Sequence, residues 1–521
     1  MLLISMSGCT PKLHKSVTPE TSVSGLHTEP SASLYSYFDA DIISEYPRSG
    51  FYPLPNNLDA FAARVALINR AQKTLDVQYY LFRADNTGLT MTKLLLDAAD
   101  RGVKVRLILD DMLQGSNDQA LLALESHPNI DIKLFNPTYF RKSLRYLEML
   151  FHINTLGRRM HNKALIADNS AAIIGGRNIQ DIYFAADENN IFIDNDILTV
   201  GPLVTEISNA FETYWVSPVS VPLQEVAGKK SVSKKQVRSV LDDYVHTFTY
   251  SDYMKAVRET KTMQRFEAKR IPLLFGQAQL YFDFPTKVVA SEDETDTHMS
   301  EHLAPLFKNA QQSIMIVSPY FMPNPNFMEG VRQLRERGVE ITILTNSLAT
   351  NDAIPVYAAY AKYHKALLSL GVHLYELSPL AFHSLFKNAH YKRGRLPRSA
   401  LHAKTTIIDN EIFIIGSANM DPRSAKLNTE LAAVIRSKPL ARFERKGLRR
   451  ATAPENAYAL SLERAPEKPV VATWIPQEKE RVVWTTAIDG EEVKYYDDGN
   501  AGFWRRLGSN LVSYFPIEGY L

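Results

Sequence analysis

Two histidines, His161 and His402, each stand two residues ahead of a lysine and seven ahead of an aspartate: His161-Asn162-Lys163 runs on to Asp168, and His402-Ala403-Lys404 to Asp409. Each run continues into a glycine frame ending in asparagine, Gly175-Gly176-Arg177-Asn178 and Gly416-Ser417-Ala418-Asn419, with seventeen residues from His to Asn in both. One His-x-Lys pair has a bland reading as ordinary strand residues; two in matched frames do not. An imidazole beside an ammonium and an amide suits a phosphodiester, because the lysine and amide hold the non-bridging oxygens while a ring nitrogen attacks phosphorus. Two sets supply one nucleophile and one general acid, and the acid becomes the base when a second acceptor displaces the phosphohistidine. No metal or other cofactor is called for, and the chain has no His, Cys, Asp or Glu cluster at customary ligand spacing. Asp168 and Asp409 complete the catalytic motifs, although a carboxylate at a strand end also suits a structural ion pair or turn contact.

The elements that must position these motifs repeat with them. Ala71-Gln72-Lys73-Thr74-Leu75 matches Ala310-Gln311-Gln312-Ser313-Ile314, and Arg101-Gly102-Val103 matches Arg337-Gly338-Val339, at offsets between 236 and 241 residues. Two copies at so long a period mean fused homologous domains, not a solenoid. Apolar periodicity predicts helices over 59–71, 90–101 and 326–337, and strands over 75–82, 103–109, 314–321 and 339–344. This βαβ alternation gives a sheet with parallel neighbours and helices on its faces. The His-x-Lys motifs are expected on strands, with His and Lys on one face. Runs 171–175 and 412–416 are the return strands of hairpins, which brings each asparagine back toward its own His and Lys.

With 521 residues, 45% hydrophobic and 22% charged, the chain is long enough for two substantial cores. A net charge of +2 makes no global case for nucleic acid, and no apolar run is long enough to span a bilayer. The single cysteine, Cys9, excludes an internal disulfide framework. Met1-Leu2-Leu3-Ile4-Ser5-Met6-Ser7-Gly8-Cys9 has two readings: the end of a bacterial lipoprotein signal anchored at Cys9, or an unstructured terminus with an incidental cysteine. Residues 10–33 then serve as a tether.

The doubled motif and its frames resemble the phospholipase D superfamily, over roughly residues 50 to 435. Leu58-Asp59-Ala60-Phe61, Leu75-Asp76-Val77-Gln78-Tyr79-Tyr80, Arg158-Arg159-Met160-His161 and Gly502-Phe503-Trp504-Arg505-Arg506 are similar to the bacterial cardiolipin synthase C type. The resemblance implies an α/β fold of two tandem phospholipase D-like domains. Each would be a mixed sheet flanked by helices, and a pseudo-two-fold axis would relate them around one shared active site. It implies a first domain over 46–225 after a leader or tether (1–45), a linker with a helix (226–285), a second domain (286–440) and a C-terminal extension (441–521). The implied reaction is phosphatidyl transfer to phosphatidylglycerol from a second phospholipid, phosphatidylethanolamine among the choices. His161 would be the nucleophile and His402 the general acid and base. Lys163, Lys404, Asn178 and Asn419 would be phosphate ligands, with Ser417 a helper. Family pattern also implies acidic residues that orient the histidines, Glu430 in the second repeat and Asp196 in the first.

Lipid substrates imply a bacterial membrane or envelope location, peripheral or lipid-anchored. Basic and aromatic residues interleave over 140–147 and 386–393, suiting anionic head groups. Run 503–515 reads equally as an interfacial helix or as a helix docked on the protein's own core. Residues 440–500 read as an insertion or loosely structured extension. Alternatives are hydrolysis to phosphatidic acid, a catalytically retired membrane-binding lipoprotein, and a nuclease of the same superfamily, disfavoured by the subgroup resemblance more than by charge, so that no nucleic acid partner is expected.

Overall fold

The computed structural model describes residues 31–38, 47–113, 118–141, 145–228, 234–249, 251–291, 298–381, 398–464 and 480–513. Cys9, residues 10–30 of the expected tether and the 386–393 stretch lie outside the described residues. The first half contains β1 (Ser49–Leu54), β2 (Thr74–Tyr79), β3 (Lys104–Asp110), β4 (Ile130–Phe135), β5 (Ala164–Ala167), β6 (Ala171–Gly175), β7 (Asn190–Ile193), β8 (Asp196–Val200) and β9 (Ser220–Pro222). The second contains β10 (Leu274–Phe282), β11 (Ser313–Val317), β12 (Glu340–Asn346), β13 (His373–Leu377), β14 (Arg398–Leu401), β15 (Thr405–Ile408), β16 (Ile412–Gly416), β17 (Leu431–Arg436), β18 (Ala457–Arg464), β19 (Glu480–Ile488) and β20 (Glu491–Tyr495).

Hydrogen bonding orders the first half β9-β4-β3-β2-β5-β6-β8-β1. The second half runs in the same sense from its equivalent edge, β18-β13-β12-β11-β15-β16-β17-β10. Within these two orders, among the described residues, β2, β3 and β4 and their counterparts β11, β12 and β13 are the parallel neighbours, as their crossover helices require. β1 and β10 then pair antiparallel at Ser49↔Gly276, so the halves meet edge to edge as a pseudo-two-fold axis demands.

Capping fixes where the crossover helices begin. The Asn56 side chain accepts from Leu58 N at 2.9 Å ahead of helix Asn57–Arg70, Asp85 caps Asn86–Asp100, and Asn324 with Pro325 opens Pro325–Glu336. One apolar cluster runs through both halves, joining Phe51, Ile108, Ala164 and Ile174 to Leu280, Ile407, Phe413 and Leu431. Separating the halves would expose this core, so their relative placement is fixed by the hydrophobic effect.

Two stretches differ from the sequence reading. The expected linker holds helices Lys234–Thr249, Asp252–Arg258 and Lys261–Glu267, and Leu241, Met254, Val257 and Phe266 bury into the first half's core. Its last part already belongs to β10. The expected loose extension is ordered where described: helix Lys438–Ala451 leads into β18, β19 and β20, which lengthen the second sheet through Tyr375↔Ala459 pairing. Tyr458, Leu460 and Leu462 alternate with Ala459, Ser461 and Glu463, a short strand pattern that the reading by charge and proline content passed over. Among the described residues no helix is long and apolar enough to cross a membrane.

Candidate active site

Each motif enters a tight hairpin, β5–β6 or β15–β16, and the return strands have the expected bounds. The His and Lys residues themselves correct the expectation of strand positions, since they lie in the extended run just before β5 and β15. The hairpin tips, Asp168-Asn169 and Asp409-Asn410, all have φ between 49° and 55°, a left-handed conformation that Asp and Asn tolerate. The two aspartates are corrected from catalytic to structural. Asp168 accepts from the backbone N–H groups of Gln72 (2.9 Å), Lys73 (2.7 Å) and Thr74 (3.0 Å), and Asp409 from those of Gln311 (3.0 Å), Gln312 (2.7 Å) and Ser313 (3.0 Å). They lash the hairpin tips to the starts of β2 and β11, which is why the repeated sequences around 71–75 and 310–314 travel with the motif.

The halves exchange short strand pairs ahead of each histidine. Met160 bridges Thr429 in parallel, His161 N donates to Thr429 O at 2.8 Å, and the next residue is Glu430. Likewise β14 pairs in parallel with β7, Leu401 opposite Ile193, and His402 N donates to Ile193 O at 2.8 Å; the next residue is Asp194. Each histidine therefore receives its carboxylate from the opposite half. Glu430 lies 3.0 Å from His161 Nδ1, and Asp194 lies 2.7 Å from His402 Nδ1.

This overturns the assignment of Asp196, and with it the idea that Glu430 serves the histidine of its own repeat. Asp196 is buried between Arg64 (2.9 Å) and Arg177 (3.3 Å), neutralising two enclosed guanidiniums. Strand register makes the equivalence plain: Gly175 faces Asp196 and Gly416 faces Ala432, so the residues two before, Asp194 and Glu430, correspond.

The difference between Gly176 and Ser417 follows from the same acids. A Cβ on Gly176 would stand 2.2 Å from Asp194 Oδ1, whereas Ser417 Oγ donates to the longer Glu430. Ser424 Oγ also donates to Glu430, at 2.9 Å. Ser417 thus fixes a carboxylate, and its carbonyl lies 3.1 Å from His161 Nδ1.

The asparagines are unequal too. Asn178 Oδ1 accepts from Leu81 N (3.2 Å) and its Nδ2 donates to Tyr183 Oη (2.8 Å). Tyr183 Oη in turn lies 3.4 Å from Nε2 of His402, so Asn178 serves the other half's histidine, not its own as expected. Asn419 keeps a buried Oδ1 without a hydrogen-bond partner among the described residues. Sequence reasoning missed Asp194, Tyr183 and Asp110, whose carboxylate accepts from Met160 N (2.8 Å) and Arg159 Nε (2.8 Å) to fix the approach to His161. Asp110 carried one signal, a carboxylate closing an apolar strand.

Burial, then the neighbouring Lys404, holds His402 down to about 3 against the pull of Asp194, and burial likewise lowers His161. Burial works to raise Asp194, but His402, Lys404 and Arg177 bring it down to about 2. At neutral pH both rings are therefore neutral, each giving Nδ1–H to a carboxylate and presenting the Nε2 lone pair. Burial also brings Lys163 to about 7 and Lys404 to about 8. Lys404's charge acts on both Lys163 and His161, so the two motifs share one electrostatic site. An anion bound there would hold both lysines charged.

Mirrored hairpins with His-x-Lys pairs converging across a pseudo-dyad define the phospholipase D class of phosphoryl-transfer fold. The family model described as cardiolipin synthase, PLD-like domain, matches residues 65–215 and 303–447. The chain is 35% identical over 485 residues to cardiolipin synthase C of Escherichia coli K12, covering 92% of this chain and 98% of that protein. It is 34% identical to an uncharacterized Helicobacter pylori protein, covering 85% and 87%. A crystal structure of phosphatidylserine synthase from Haemophilus influenzae shares the fold, with a TM-score of 0.54, 12% identity and coverage of 80% of this chain and 90% of that one. The chain belongs to the cardiolipin synthase family of phospholipase D-like proteins.

Proposed function

We propose that the protein is a phosphatidyltransferase that makes cardiolipin from phosphatidylglycerol and a second phospholipid. The observation that carries the reading is the crossed arrangement of two neutral imidazoles, each oriented by the other half's carboxylate, with two lysines in one buried site. His161 Nε2 has no hydrogen-bond partner among the described residues, whereas His402 Nε2 faces the Tyr183 hydroxyl. His161 is accordingly the nucleophile: Nε2 attacks phosphorus, the P–O bond to the donor's departing alcohol breaks, and His402 Nε2–H protonates that alcohol. His402 then takes the proton of phosphatidylglycerol's hydroxyl as its oxygen attacks phosphorus and the P–N bond breaks. Lys163 and Lys404 hold the non-bridging oxygens, whose negative charge favours a protonated His402 while substrate is bound.

The substrates place the enzyme at the bacterial envelope, bound peripherally or through a lipid on Cys9. The direct test incubates the protein with phosphatidylglycerol, with and without phosphatidylethanolamine and a chelator, and resolves the lipids. Cardiolipin, made equally in chelator, is the expected product. Phosphatidic acid alone would make it a hydrolase, and no turnover of either lipid would overturn both readings.

A further inference from the structure

The C-terminal helix Phe503–Ser513 is built inside out. Arg505 points inward and donates through Nη1 to Leu348 O and Asn351 O, each at 2.7 Å, and Ser509 is buried. Its apolar side chains face outward: Phe503 is 64% exposed, Trp504 79% and Leu511 57%, with Leu507 beside them. A helix using its apolar stripe to dock on its own core would show the reverse.

The segment that anchors this helix, Leu348 to Asn351, runs on to a residue that acts on the site. Asp352, next after Asn351, accepts from Tyr320 Oη at 2.7 Å, and its charge acts on Lys404 and Tyr183. The first half presents a second aromatic edge at the equivalent place, past the carboxyl end of β3. There Thr138 N donates to Asp111 at 3.0 Å and Arg145 Nη2 donates to Asp111 O at 2.7 Å, while neighbouring Asp110 binds Met160 ahead of His161. From this edge Phe140 (58% exposed) and Phe151 (79% exposed) project into solvent. Two unrelated segments, one from each half, thus carry exposed aromatics beside the loops that follow the equivalent strands β3 and β12.

We infer that these two aromatic edges flank the approach to the site and form the membrane-docking surface, with Phe503, Trp504, Leu507 and Leu511 inserted at the head-group level of a phosphatidylglycerol-containing bilayer. The inference deepens the proposed function and rests on it for the identity of the lipid. Tryptophan and phenylalanine on a helix lying flat on the protein fit the boundary between head groups and acyl chains, and a bilayer seated on both edges would present phosphodiesters to the site.

The test uses the full chain, sedimentation with phosphatidylglycerol and phosphatidylethanolamine vesicles, and Trp504 emission read as the difference between the wild type and W504F. We expect a blue shift on adding vesicles that W504F lacks. We also expect vesicle binding about tenfold weaker in F503S/W504S, with unchanged turnover of a short-chain phosphatidylglycerol dispersed as monomers. Equal sedimentation of F503S/W504S and wild type would overturn the inference. So would Trp504 emission that is already shielded without vesicles, which would mean that the chain itself or a second copy covers the helix. Trp504-dependent vesicle binding by a protein that turns over no lipid would remove the proposed function and leave the docking surface. Turnover of monomeric lipid by a protein that ignores vesicles would do the opposite.

Discussion

Around His161 the orienting acid is a glutamate, steadied by two serine hydroxyls, Ser417 and Ser424, and the far ring nitrogen is open. Around His402 the acid is a shorter aspartate set against a glycine that could not carry a side chain, and the far nitrogen faces a buried tyrosine. Acid length and neighbour size vary together, Glu430 with Ser417 and Asp194 with Gly176, so that each half holds Nδ1 within about the same reach by a different combination. What stays common is the geometry a nucleophile and a general acid both need. What differs is the traffic at Nε2, where the two roles diverge.

The comparison is tested hardest by removing the rings. His161→Ala should abolish turnover and leave no trapped intermediate, whereas His402→Asn should form the phosphohistidine and stall before transfer. Phosphorus-labelled lipid and acid-labile label on the protein would separate them, and label accumulating instead in His161→Ala would exchange the roles. Next come the acids. Asp194→Asn and Glu430→Gln should each lower kcat by about 10²–10⁴-fold, because the amide no longer anchors the Nδ1–H tautomer. Asp196→Asn should instead lower thermal stability, since it strands Arg64 and Arg177. A larger kcat loss in Asp196→Asn with unchanged melting would restore the in-repeat pairing.

Gly176→Ser is expected to cost on the order of 10–100-fold in kcat by displacing Asp194, and Gly176→Ser with Asp194→Glu should recover part of it by reproducing the Glu430 arrangement. The smallest effect concerns pH. Both lysines are charged below their lowered values, about 7 for Lys163 and about 8 for Lys404, and lose charge as pH rises through them. KM for the phospholipid should therefore rise about tenfold from pH 6.5 to 8.5 at constant ionic strength. A flat profile would show that the site keeps both lysines charged unaided.

Local patterns carried most of the fold into the sequence. The return strands 171–175 and 412–416, the crossover helices and the parallel core strands all follow from apolar periodicity within one repeat. The acids did not, because Asp194-Asn195-Asp196 offers two carboxylates on alternate positions and only the register of β7 against β14 selects between them. That register is set between segments some two hundred residues apart. Tyr183 was hidden for the same reason, since its partner His402 comes from the other half. The strands from 457 pair with β13 and with each other, and the alternation of Tyr458, Leu460 and Leu462 with Ala459, Ser461 and Glu463 was legible but short, among charged residues with no counterpart in the first repeat.

The exchange of acids between halves has a consequence for when the chemistry begins. Until the second repeat has been synthesised and docked, His161 lacks its carboxylate and Asp194 lacks its ring. Neither half is a working fragment of the whole, so a truncated or misdocked chain is chemically silent. Only a fully assembled protein has both histidines oriented, and competence is checked by the same strand pairs that close the fold.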